Sequence, residues 1–164
     1  MFTIPILIRN FILTLVLGWA SYTDIKRQEI DFEPLIVGII FAIPFNLLGF
    51  NDVTFWNALL GMVVSFAIFF IFSFFGMGGG DMKLIAIVGL FLGFSNVLLS
   101  MVLSFYVGAT LAIFILIFKK GKNKLKTKVP FGPSITMAAI ITMLYGPQIL
   151  NWFFGLFRFE VTMS

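Results

Sequence analysis

An all-α, polytopic membrane protein of about six transmembrane helices is the fold class this sequence predicts, and three observations predict it. Apolar residues fill 60% of the 164 positions and charged residues only 11%, with a mean hydropathy of +1.10, whereas soluble domains carry roughly 25% charged residues. The apolar residues fall in runs of the length a bilayer demands, about 20 residues per helical span. Between the runs stand short breaks of Gly, Pro, Asn and charge, with no stretch large enough to fold separately. The expectation is one membrane-embedded domain over residues 1–164, multi-pass in the cell membrane.

The first run extends from about Ile4 to Tyr22. A signal peptide is the rival reading, because Arg9 precedes the apolar stretch and Ala20-Ser21 mimics a cleavage site. The length of a full span and the basic cluster after it favour a helix. A polar loop follows, Thr23 to Glu33, and Pro34 opens the second run, which reaches about Phe50. Proline suits the first helical turn, where its missing N–H costs least, and Pro44 is expected to kink this helix. Asn51 to Thr54 reads as a turn, and the phenylalanine-rich third run covers Phe55 to Phe75.

Gly76-Met77-Gly78-Gly79-Gly80-Asp81 then interrupts the helical pattern. The fourth run, Met82 to Phe94, is short for a span, and Ser95-Asn96 is a weak break before the fifth, Val97 to Phe118. A lysine-rich loop, Lys119 to Lys128, precedes the sixth run, from about Pro130 to Phe157. Gly146-Pro147 stands in its middle, and the alternative to a continuous helix is an end there that leaves Gln148 to Phe157 as an interfacial tail carrying Trp152.

Cysteine and histidine are both absent. Disulfides, thiol nucleophiles, Cys/His zinc sites and Ser-His-Asp chemistry are thereby excluded. The net charge of +4 is not a nucleic-acid signal here, because the basic residues stand mainly at run ends and in one loop. In a membrane protein that pattern sets orientation. An outside N-terminus puts Lys26, Arg27, Lys83 and the Lys119–Lys128 loop on the cytoplasmic side, and leaves the turns at 51–54 and 95–96 outside without Lys or Arg. Arg9 and Arg158 fall outside against that bias.

Two carboxylates stand out. Asp24 follows the first run and Asp81 opens the fourth, so two crossings separate them and both lie on one face of the membrane at similar depth. Ionisable groups at such positions are costly and mark a functional site by default. Two carboxylates brought close share a proton, so one can take a proton from water while the other hydrogen-bonds a carbonyl. That arrangement suits peptide hydrolysis without metal, thiol or histidine. The glycines beside Asp81 disfavour helix, and irregular backbone at membrane depth is tolerated where it lines a watery cavity. A small ion- or proton-coupled transporter using the same Asp pair is a second reading of these residues.

Gly78-Gly79-Gly80-Asp81 fits the G-x-G-D motif of intramembrane aspartyl proteases. The longer string from Gly76 to Leu84, continuing into Gly89-Leu90-Phe91-Leu92-Gly93, resembles the second catalytic motif of the type IV prepilin peptidases. Asp24-Ile25-Lys26-Arg27-Gln28-Glu29-Ile30 resembles their first motif, and Val129-Pro130-Phe131-Gly132-Pro133 the stretch that opens their last conserved helix. Asp31-Phe32 stands where that family usually has Pro-Asn. The resemblance implies an aspartic-type endopeptidase with Asp24 and Asp81 as catalytic residues and no metal or organic cofactor. The implied partner is a prepilin or prepilin-like protein of pilus or secretion machinery, cut between its basic leader and its apolar segment at the cytoplasmic face. Gly78 and Gly80 are expected to let the substrate strand approach, Lys83 to contact substrate or tune the acids, and Glu29, with Asp31 and Glu33, to attract the leader. Without the cysteine-bearing methyltransferase insertion of the large bacterial members, the chain resembles a peptidase-only form. Tyr22 near Asp24 also invites comparison with presenilin-type proteases, but Thr23 intervenes and their Pro-Ala-Leu motif is missing.

Overall fold

The computed structural model describes residues 4–27, 30–48, 53–74, 78–118 and 131–161. All regular structure among them is helical: α1 (Ile4–Arg27), α2 (Phe32–Leu47), α3 (Phe55–Ser73), α4 (Gly79–Phe118) and α5 (Gly132–Val161). Among the described residues, α1, α3, α4 and α5 are long and apolar enough to cross a membrane, while α2 is apolar but has only 16 residues. The outward faces are apolar too, with Phe11, Leu15 and Trp19 of α1 and Val63, Phe70 and Ile71 of α3 exposed. A helix apolar all round belongs in lipid or at the centre of a bundle, and this chain is a multi-pass membrane protein.

Residues 84–93 supply that centre. Leu84, Ile85, Val88, Leu90, Phe91 and Leu92 are all buried, because α1, α2 and α3 each lie against this stretch of α4. Arg9 of α1 donates to the carbonyl of Phe91 at 3.4 Å, and Asn46 of α2 donates to that of Leu90 at 2.8 Å. The seam with α3 is the closest. A Cβ built on Gly61 would stand 2.8 Å from the Gly89 carbonyl oxygen, and one on Gly89 2.5 Å from that of Gly61. With no hydrophobic drive between helices in lipid, such small-residue seams, where backbones nearly touch, are a main source of cohesion. Ser65, one turn along, adds a hydrogen bond to the Ile85 carbonyl.

At Gly93 the chain of α4 folds back. Gly61 meets Gly89 while Ser65 meets Ile85, so the limb 79–92 runs antiparallel to α3. Gly61 also abuts Gly93 and Phe94, while Phe69 and Phe72 reach Phe105 with ring centroids 5.6 and 5.2 Å apart, so the limb 94–118 runs parallel to α3. The reversal turns on Gly93, whose φ of 77° lies in the region open chiefly to glycine. The next N–H, that of Phe94, is taken by Asn57 Oδ1 at 2.9 Å.

The structure corrects several sequence-based boundaries. α1 continues through Asp24 to Arg27, because Ser21, Thr23 and Asp24 prolong its buried stripe of Leu13, Val16, Leu17 and Ala20. α2 starts at Phe32 rather than Pro34, so proline sits two residues in, still within the first turn. Gly79 and Gly80 are helical, which makes Asp81 part of the first turn of α4. The break after the fourth run falls at Gly93 instead of Ser95-Asn96, both of which are helical. α5 passes through Gly146-Pro147 to Val161, as membrane helices tolerate proline when neighbours satisfy the freed groups. The glycine-rich residues Gly76 and Met77 and the Lys119–Lys128 loop lie outside the described residues.

Gly61→Leu is expected to reduce unfolding free energy by about 3 kcal/mol through overpacking, read from melts of the detergent-solubilised protein. Gly18→Ala adds a methyl that meets nothing within 4 Å and is expected to stay within about 0.5 kcal/mol of wild type.

Candidate active site

Asp24 and Asp81 face one cavity of about 280 Å³, lined also by Ile30, Gly78, Gly79, Gly80 and Lys83. Both carboxylates are buried, 6% and 7% exposed, yet near enough for the charge of one to reach the other. Asp24 is delivered by the last turn of α1, on the side of the helix that faces the bundle. Asp81 is delivered by the first turn of α4. Because α1 and the limb 79–92 run antiparallel, with Arg9 at Phe91 at one end, the two acids meet at the other.

Each carboxylate lies where a helix begins. The N–H of Gly132, first residue of α5, donates to Asp24 Oδ2 at 2.8 Å. Asp81 lies in the first turn of α4 itself. The first N–H groups of a helix have no partner within it and carry the positive end of its dipole, so these are places where a bundle can receive a buried acid. No side chain fits at Gly132, where a Cβ would stand 2.7 Å from Asp24 Oδ2.

The other residues singled out from the sequence divide. Gly78 borders the cavity, and a Cβ there would come within 3.0 Å of Asp81 Oδ2. Gly80 borders it too, but its bare Cα also makes room for Ile30, whose Cβ lies 2.8 Å from where that of residue 80 would be. Lys83 lines the cavity with its ammonium 3.9 Å from the centroid of the Phe32 ring, a cation–π distance. Phe32, at the position where the sequence departs from the expected motif, therefore touches the site. Asp31 pairs with Arg27 at 3.4 Å on the surface, a contact of little energetic weight. Glu29 lies outside the described residues. Sequence reasoning missed the contact of Gly132 with Asp24, for which the Pro-Phe-Gly-Pro stretch was the available signal.

Among the described residues, no group of three or more Asp, Glu, His or Cys side chains gathers anywhere. The site is a carboxylate pair beside a glycine-lined opening. Comparison with known proteins gives it a family: residues 11–113, which include both acids, match the model of the type IV leader peptidase family. The chain belongs to that family. A prepilin leader peptidase/N-methyltransferase of Stutzerimonas stutzeri is 32% identical over 147 residues, 82% of this chain and 50% of that protein. One of the same name from Aeromonas hydrophila is 30% identical over 154 residues, 87% and 51% of the two chains, and one from Bacillus subtilis 28% identical over 136 residues, 81% and 54%. The chain spans about half the length of the curated relatives it matches. No solved structure matches it. Membership in the type IV leader peptidases favours neither the transporter nor the presenilin-like reading.

The packing of Ile30 on Gly80 is open to a direct test, since the chain has no native cysteine. An Ile30→Cys/Gly80→Cys variant is expected to lose both thiols to maleimide labelling after mild oxidation and regain them on reduction. Persistent labelling would contradict the described cavity wall.

Proposed function

We propose that this leader peptidase family member is an aspartic endopeptidase that removes the basic leader of a prepilin or prepilin-like protein, with Asp24 and Asp81 as its catalytic pair. The observation that carries the reading is the shared cavity of the two buried carboxylates beside Gly78, Gly79 and Gly80. One carboxylate takes a proton from water as that water attacks the scissile carbonyl. The other, protonated, first hydrogen-bonds the carbonyl oxygen and then gives its proton to the leaving amine. Gly78 and Gly80 border the opening through which an extended strand approaches, and Lys83 and Glu29 are assigned to substrate contact. The relatives' names also carry an N-methyltransferase activity; the reading for residues 1–164 is a single membrane-embedded peptidase domain.

The reading includes six crossings. At 1.5 Å per residue, the 40 residues of α4 would extend for roughly 60 Å, about twice the hydrocarbon thickness of a bilayer. The reversal at Gly93 makes two passes of it, and α2, at 16 residues, is a short sixth. Lys26, Arg27 and Lys83 stand at the acid-bearing end, and the lysine-rich stretch 119–128 joins two helices whose termini lie there too. The positive-inside bias makes that end cytoplasmic, where a basic leader is available to Asp31 and Glu33.

Co-expression with a prepilin carrying glycine at its cleavage site tests the activity. Asp24→Asn and Asp81→Asn are each expected to slow processing by about 10³-fold, within the range for loss of a general acid or base. Wild-type processing in either variant would remove that residue from the pair.

A further inference from the structure

The proposed hydrolysis leaves Phe131 and Gly132 without a job, although they begin the helix that touches Asp24. The N–H of Gly132 is bonded to Asp24 Oδ2, so the placing of this carboxylate depends on where α5 starts. Phe131 determines that start. Its carbonyl accepts the N–H groups of Ser134 at 3.0 Å and Ile135 at 3.1 Å, the first hydrogen bonds of the helix. Its ring is clasped by two others, with centroids 6.3 Å from that of Phe69 and 5.7 Å from that of Phe105, distances typical of favourable aromatic pairs.

Beneath the ring lies Gly108, in the limb 94–118 of α4. A Cβ on Gly108 would overlap the edge of the Phe131 ring, so the ring, packed on Phe69 and Phe105, has to shift to admit it. Gly108 contributes nothing to the cavity of the two acids and belongs to none of the motifs around them. Adding one methyl there displaces Phe131, and with it the N–H that holds Asp24. One turn further on, Thr136 donates to the Leu17 carbonyl at 3.2 Å and bonds Ser21, so the rest of α5 stays docked on α1 while its first turn is disturbed.

We propose that Phe131, seated on Gly108 between Phe69 and Phe105, is a positioning residue for Asp24, acting through the backbone N–H of Gly132. The inference rests on the peptidase reading, in which Asp24 reacts.

The test uses the purified full chain in detergent and a prepilin-type peptide with a basic leader, a glycine before the cleavage site and an apolar helix after it. Gly108→Ala is expected to lower kcat by about 30- to 100-fold, the scale of a roughly 1 Å misplacement of a reacting group, with KM within about two-fold. Phe131→Leu, which removes ring contacts without adding atoms, is expected to lower kcat by about 10-fold. In the Phe131→Leu background, Gly108→Ala is expected to have no further effect, because the smaller side chain leaves room for the methyl. An unchanged kcat in Gly108→Ala overturns the proposal, as does a double variant whose loss is the product of the two single losses. If Gly108→Ala does not fold, Phe131→Leu decides alone: a fall in kcat at constant KM supports the proposal, and an unchanged kcat, or a fall matched by a rise in KM, overturns it. Asp24→Asn run in parallel separates the two levels. Full activity there defeats the peptidase reading, whereas an inactive Asp24→Asn beside an unaffected Gly108→Ala defeats only the positioning role.

Discussion

Two carboxylates in the interior of a lipid-facing bundle have to find donors, and this constraint organises the rest of the molecule. An ionisable group in the bundle is expensive unless it meets polar partners or water. Here the N–H of Gly132 at the start of α5 bonds Asp24, and Asp81 lies in the first turn of α4, the two places where a helical bundle has N–H groups to spare. A glycine stands at each: Gly78 beside Asp81 and Gly132 beside Asp24. A side chain at either would fill the space into which the carboxylate must approach.

The seam between α3 and α4 does the structural half of the same task. Gly61 and Gly89 bring two backbones to near contact, and Gly93 turns the chain back so that one limb of α4 carries Asp81 and the other carries Phe105 and Gly108. Residues 84–92 of the central limb are buried among the other helices, one turn from Asp81. Phe69, Phe105 and Phe131 then close the bundle at the acid-bearing end. Three of the chain's many phenylalanines thus work as interlocking rings, while Phe11, Phe66 and Phe70 face outward.

Much of this was legible in the sequence where local signals agree with the fold. α3 covers Phe55–Ser73, nearly the expected run, because nothing polar competes there. Counting the two runs between Asp24 and Asp81 leads to the expectation that both stand at one end of the bundle, where they line one cavity. Boundaries set by distant partners were not legible. Ser95-Asn96 offered a plausible break, but Gly93 wins because Asn57, on another helix, caps the reversal. Gly146-Pro147 allowed a terminus, yet Gly146 is packed against Asn96 and Thr142 and the helix continues. The bond from Gly132 to Asp24 joins residues 108 positions apart, and no local pattern announces it.

The central claim is that Asp24 and Asp81 share one cavity, and a distance between the two positions tests it most directly. A chain without native cysteine permits spin labels at Asp24→Cys and Asp81→Cys, singly and together, in lipid bilayers. The account predicts strong dipolar broadening in the doubly labelled protein. A spectrum equal to the sum of the two single-label spectra would contradict it.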